Sequence, residues 1–205
     1  MIVSLHPLRR DQRGAIAAEF ALVLPLLLLF LFGIIDVGRL MYTWNEAEKA
    51  TQMGARMAVV TDMVPGGLAE MDYSTSLGQG LVVPVTSFGQ ASCTKPGTAV
   101  TCTCGTGSAC PTLTPINSTA FDAIVTRMQA MLPGLTAANV AIDYTNSGLG
   151  YSGDPDGADV APLITVRIID MTFEPLTLMV FSASFDMPEF RAGLTMEDGS
   201  GSVSN

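Results

Sequence analysis

Gly14 to Leu40 reads GAIAAEFALVLPLLLLFLFGIIDVGRL, and sixteen consecutive residues within it, Phe20 to Ile35, carry no charge. As a helix, Ala15 to Ile35 would extend about 31 Å at 1.5 Å per residue, close to the hydrocarbon thickness of a bilayer. The stretch therefore predicts one membrane pass, assigned to residues 15–38. Glu19 stands at its entrance. A charged side chain at the bilayer centre costs roughly 2.5–3.5 kcal/mol, so a carboxylate there calls for a partner. Cleavage after Gly14 would supply one, because Ala15 would become the N-terminus and lies four residues from Glu19 on the same helical face.

The flanks give the span a direction. Arg9, Arg10 and Arg13 precede it, which favours a cytoplasmic N-terminus, although Arg39 and Lys49 beyond it weaken the asymmetry. A secretory signal is cut after its apolar core, whereas Gly14 precedes the core, so the apolar segment is expected to stay in the mature protein. No cysteine lies near the run to carry a lipid. Pro25 removes a backbone donor and is expected to bend the helix, either as a harmless kink or as a feature of helix stacking in a filament.

A basic leader ending in Gly14, with Glu19 as the fifth residue beyond it and Phe20 next, resembles the processing site of type IV pilins. The resemblance is strongest to the TadE-like minor pilins of tight-adherence (Flp) pilus systems. It continues through Phe20 to Leu40 and through Ala47 to Val60, AEKATQMGARMAVV. Asp36 departs mildly, since many relatives carry Glu there. The resemblance implies a pseudopilin cleaved between Gly14 and Ala15 by a prepilin peptidase, with Glu19 and Phe20 acting in assembly. Its implied partners are the peptidase, other pilins and the Tad inner-membrane assembly platform, besides lipid around one transmembrane helix. The implied location is the inner membrane, with the C-terminal domain periplasmic and, after assembly, outside the cell in a pilus used for adhesion and biofilm formation.

The chain has 205 residues and a net charge of −9, enough for one modest domain beyond a membrane segment. Removing a leader with three Arg and one Asp takes the charge to −11. Such an acidic product lacks the clustered Lys and Arg that nucleic acid requires.

Cys93, Cys102, Cys104 and Cys110 fall in a stretch rich in Thr, Gly and Ser. In an exported chain an even, clustered set reads as two disulfides, either Cys93–Cys102 with Cys104–Cys110 or the crossed alternative. A four-thiolate zinc site is the sharper reading, but the paired C-x2-C arms are missing.

Ala47, Ala50, Gly54 and Ala58 recur at helical spacing, a small-residue stripe on which another element can pack. The pattern predicts one helix from about Ala15 to Thr61, its residues 39–62 continuing outside the membrane. A membrane helix and a separate helix joined near Thr43 to Asn45 is the alternative. Pro65, Gly66 and Gly67 should end the helix. Tyr42 and Trp44 suit a membrane interface, although Trp44 could equally lie under a sheet. Glu46, Glu48 and Lys49 read as a solvated face.

Residues 63–196 are expected to form an α+β domain with a cysteine-bearing loop over 86–117. A strand candidate lies at Leu81 to Val85. Ser118 or Thr119 should cap a helix to about Leu132. Val140 to Tyr144 alternates like a half-buried strand, Leu163 to Phe173 suits a central strand, and Leu176 to Phe185 suits a strand or a short helix. Residues 197–205, EDGSGSVSN, read as a disordered tail. The fold expected is α+β and pilin-like, a long N-terminal helix packed on a small antiparallel sheet.

Catalysis finds little purchase. His6 is the single histidine and lies in the leader, and no Gly-rich phosphate loop or G-x-S-x-G elbow occurs. No enzyme activity and no cofactor are expected. Asp154, Asp156 and Asp159 in SGDPDGAD form a weak calcium candidate without the twelve-residue spacing of an EF-hand, and a plain turn explains them better. The rival to the pilin reading is a signal-anchored envelope protein whose disulfide-bearing domain binds a ligand or surface without entering a filament.

Overall fold

The computed structural model describes residues 13–105, 109, 112–154, 158–181 and 183–196. Most of the expected leader, Cys110, Asp156 and the tail 197–205 lie outside the described residues. The chain falls into two compact units, Met1–Tyr42 with Phe173–Phe185, and Thr43–Thr172 with Asp186–Asn205.

Helix α1, Arg13–Val60, is one continuous α-helix that includes Pro25. The alternative of two helices joined near Thr43 is therefore set aside. Its residues 41–53 contain neither Gly nor Pro and include good helix formers such as Ala47, Glu48, Lys49 and Ala50. The helix ends before Pro65. Thr61 donates its hydroxyl to the Met57 carbonyl at 2.7 Å, a side-chain bond that competes with the helical ladder. Pro65, Gly66 and Gly67 instead lead into a short turn of helix, α2, Gly66–Ala69. Gly67 is needed there for close approach: a Cβ would collide with the carbonyl of Thr112 and come within 2.5 Å of that of Thr114.

The second unit is built on a five-stranded antiparallel sheet. A further short helix, α3 (Ser74–Leu77), precedes its strands β1 (Gln90–Thr94) and β2 (Thr101–Cys104). Helix α4 (Ser118–Gln129) follows, then β3 (Val140–Thr145), β4 (Leu163–Ile168), β5 (Thr172–Phe173), β6 (Phe185–Asp186) and β7 (Phe190–Thr195). The sheet order is β2-β1-β3-β4-β7, while β5 pairs with β6 separately. Asp170, at φ 52°, turns the chain between β4 and β5, so the single long strand expected over Leu163 to Phe173 is two.

Three further expectations need correction. The cysteine-bearing stretch is loop over most of its described length but not throughout: β1 and β2 form a hairpin within it, with Cys93 directly opposite Cys102. Its Thr, Ser and Cys residues read as loop by composition, yet they alternate as strands, and Ala91 and Cys93 are both fully buried. Leu81 to Val85 forms only an isolated bridge, Val82 with Tyr151. The cap of α4 is Asn117, whose side-chain oxygen accepts from the Ala120 N–H at 3.0 Å.

One face of the sheet carries Val140, Ile142, Tyr144, Ile164, Val166 and Ile168, all buried, in a cross-strand register that aligns Ile142 with Val166. The second part of α1 supplies the opposing surface. Ala47, Ala50, Gly54 and Ala58 are buried, as the small-residue stripe predicts. A Cβ on Gly54 would lie 2.7 Å from Met128 Sδ and 3.1 Å from Val166 Cγ1, so backbone, α4 and β4 meet there at the closest distance that side chains permit. Trp44 packs edge-on against Phe190 of β7 at 5.0 Å and donates to Glu48 at 2.8 Å, which gives Glu48 a partner the sequence did not suggest.

Strand β3 is buried on both faces rather than half-buried. Ala141 is small, and Asp143 is covered by Arg167, whose Nε and Nη2 reach the two carboxylate oxygens at 2.6 and 3.1 Å. Glu189 adds a 3.2 Å contact to Nη1. The bond to Asp143 holds the guanidinium still more firmly protonated than usual. Tyr144 ties the sheet to the chain leaving α1, because its fully buried phenol oxygen accepts the Val64 N–H at 3.1 Å. Burial pushes that phenol well above its ordinary range.

Tyr144→Phe would leave the Val64 N–H buried without an acceptor, and urea unfolding followed by Trp44 fluorescence should show a loss of about 1–3 kcal/mol. Gly67→Ala should destabilise more than Gly54→Ala in the same assay. Backbone carbonyls block a Cβ at Gly67, whereas the flexible end of Met128 can move away at Gly54.

Candidate functional site

The processing and assembly residues expected from sequence occupy the first two turns of α1. Gly14, Ala15, Glu19 and Phe20 are exposed, and a Cβ at Gly14 would meet nothing within 4 Å. Helical geometry puts Ala15 and Glu19 one above the other. Among the described residues Glu19 forms no ion pair.

Beyond Glu19 the helix presents apolar side chains that the described residues leave largely uncovered. Leu22 is 74% exposed and Phe30 70%. Gly14–Val60 contains the one helix among the described residues long and apolar enough to cross a membrane. Burying each Leu or Phe is worth about 1.5–3 kcal/mol. Leaving so many in water would forfeit more than the roughly 5–15 kcal/mol that holds a typical domain together.

Asp36 is the residue whose part the sequence reading missed. It is 7% exposed. Oδ1 accepts the Leu176 N–H at 2.7 Å, and Oδ2 accepts the Thr177 N–H at 2.9 Å and the Thr177 hydroxyl at 2.8 Å. These donors open a 3-10 turn, Leu176–Phe181, so the carboxylate meets N–H groups that the turn itself cannot satisfy. Arg39, one turn along α1, donates to Oδ1 at 3.3 Å and to the Glu174 carbonyl at 3.4 Å. Its guanidinium also lies 5.4 Å from the Phe173 ring centroid, and Phe173 packs against Phe185 at 5.3 Å. One carboxylate thus binds residues 140 and 141 positions away to the end of the apolar run. The signal was available: an Asp closing an uncharged run, with Arg at i+3, needs donors as much as Glu19 does.

Cys93 and Cys102 form a disulfide, which removes the crossed pairing. Cys104 is also disulfide-bonded. With Cys93 and Cys102 joined, a four-thiolate zinc site is excluded. In the acidic loop, Asp159 is 3% exposed and its oxygens are taken by backbone donors. Oδ1 accepts from Gly153 at 2.8 Å and Asp154 at 3.0 Å, and Oδ2 from Tyr73 at 2.5 Å. Asp159 therefore fastens the loop. No group of three His, Cys, Asp or Glu residues suited to a metal occurs among the described residues.

Long apolar helix, antiparallel sheet and disulfide define an α+β protein of pilin-like layout with one helix fitted to anchor it in a membrane. Residues 14–56 match the family model described as TadE-like protein, bearing out the resemblance over the segment that carries Gly14, Glu19, Asp36 and Gly54. A TadE-like region points to a Tad pilus-associated protein, and the TadE-like family is not an enzyme family. No curated protein and no solved structure matches the chain.

Replacing Asp36 with Ala should free the amides of Leu176 and Thr177. Hydrogen exchange across 173–185 should then rise at least roughly tenfold, with β3 and β4 unchanged.

Proposed function

We propose that the protein is a minor pilin or pseudopilin of a Tad/Flp-type pilus. A prepilin peptidase cuts it after Gly14, and the product stays in the inner membrane, N-terminus inward and domain in the periplasm, until it enters or primes the filament. Other pilins and the Tad assembly platform are its partners, and adhesion and biofilm formation are the outcomes it serves. The observation carrying this reading is the position of Glu19. It is a carboxylate without an ion-pair partner among the described residues, at the mouth of an uncovered apolar helix, five residues beyond Gly14 and within the TadE-like segment.

The chemistry follows from that position. Cleavage converts a neutral amide at Ala15 into an ammonium group one helical turn from the Glu19 carboxylate. In the low-dielectric core of a bundle of such helices, two opposite charges must pair within one chain or between neighbours, because an unpaired one is far more costly. Register between subunits is thereby selected.

N-terminal sequencing of the protein recovered from cells should begin at Ala15. A chain beginning at Met1 in a piliated strain would favour the signal-anchored envelope protein instead. Glu19→Ala should be processed normally yet yield few or no pili by electron microscopy, and normal piliation would remove the ion-pair role.

A further inference from the structure

Residues 175–185, PLTLMVFSASF, contain no charged side chain and are bounded by Glu174 and Asp186. Leu176, Leu178 and Phe185 are exposed by 42%, 39% and 42%. An exposed apolar segment on a soluble domain would be a liability. Its attachment point gives it a depth. Leu176 is bonded to Asp36 at 2.7 Å, and Asp36 lies about 32 Å along the helix from Ala15 at 1.5 Å per residue. That distance matches the roughly 30 Å of hydrocarbon in a bilayer. The segment is thus held where acyl chains give way to headgroups, at the level along α1 of Ile35 and Val37, which are themselves exposed.

The polar groups suit that level. Arg39 can carry its aliphatic stem past apolar surface and hold its guanidinium at the headgroups, while Asp36 satisfies the Leu176 and Thr177 amides that lipid could not. We propose that the described ends of this segment, Phe173–Leu178 and Phe185, form a second membrane contact in the headgroup layer where α1 leaves the bilayer, with Leu176, Leu178 and Phe185 in the acyl boundary. This rests on α1 being a membrane anchor. Asp36 then fixes how deep the anchor sits, since sliding α1 along the membrane normal would pull the segment out of the interface or bury its polar ends.

The test uses the full chain in phosphatidylcholine nanodiscs containing dibrominated lipid, with Trp44→Phe as background. Leu178→Trp reports on the segment, Phe185→Trp is a second reporter that keeps an aromatic ring on Phe173, and Leu29→Trp reports on the membrane helix. The expected result is quenching of both segment reporters by lipid brominated near the headgroup, by roughly twofold or more, with iodide ineffective. Leu29→Trp should be quenched by bromines deeper in the chain. Segment reporters quenched by iodide and not by bromolipid would overturn the proposal while quenched Leu29→Trp kept the anchor. Segment reporters shielded from both quenchers would also overturn it, showing a protein cover. Absence of lipid quenching at Leu29→Trp as well would remove the anchor itself.

Discussion

The first half of α1 exposes apolar side chains that no other part of the described chain covers, and the rest of the molecule makes sense in relation to that surface. Left in water it would be a large apolar liability. Surface of this kind needs hydrocarbon or the helices of neighbouring subunits, both environments in which every backbone polar group must be satisfied internally. An α-helix meets that demand along nearly all of Arg13–Val60, the exception being Pro25, which lacks an N–H and leaves one carbonyl without its usual donor.

The same helix then does a different job with a different surface. From Thr43 onward its large apolar side chains give way to Ala47, Ala50, Gly54 and Ala58, and the backbone comes close enough to the sheet and α4 that Gly54 has no room for a methyl group without movement of Met128. Polar groups at critical places are answered individually: Val64 by Tyr144, Asp143 by Arg167, the Asp159 loop by its own amides. Asp36 belongs to this set but stands within the apolar unit. There an unanswered carboxylate would be most costly, and there it receives two backbone amides, a hydroxyl and a guanidinium.

Features that depend on local spacing were legible in the sequence. The apolar span follows from the length of its uncharged run, the small-residue stripe, the helix near residue 118 and the strands at 140 and 163 follow from periodicity, and the TadE-like match falls on the stretch where resemblance was strongest. Features that depend on pairing were not. QASCT and TCTC look like loop until each is laid beside the other, and FRAGLT became β7 because Leu163–Ile168 offered it an edge. Asp36 was passed over for a similar reason. Its backbone donors lie 140 and 141 residues downstream, and no window along the chain contains both partners.

Glu19 and Asp36 bracket the apolar run with two carboxylates of opposite situation. Asp36 has its donors within the chain, whereas Glu19 has no ion-pair partner among the described residues, and the proposed reading assigns it the amine that cleavage would expose. The role proposed for Glu19 presupposes that the run lies in a bilayer, so the most direct measurement is alkaline carbonate extraction of membranes from cells making the full chain. The protein should stay in the membrane pellet. Its quantitative release into the supernatant would mean that the apolar face of α1 is covered by something other than lipid, and would contradict the account.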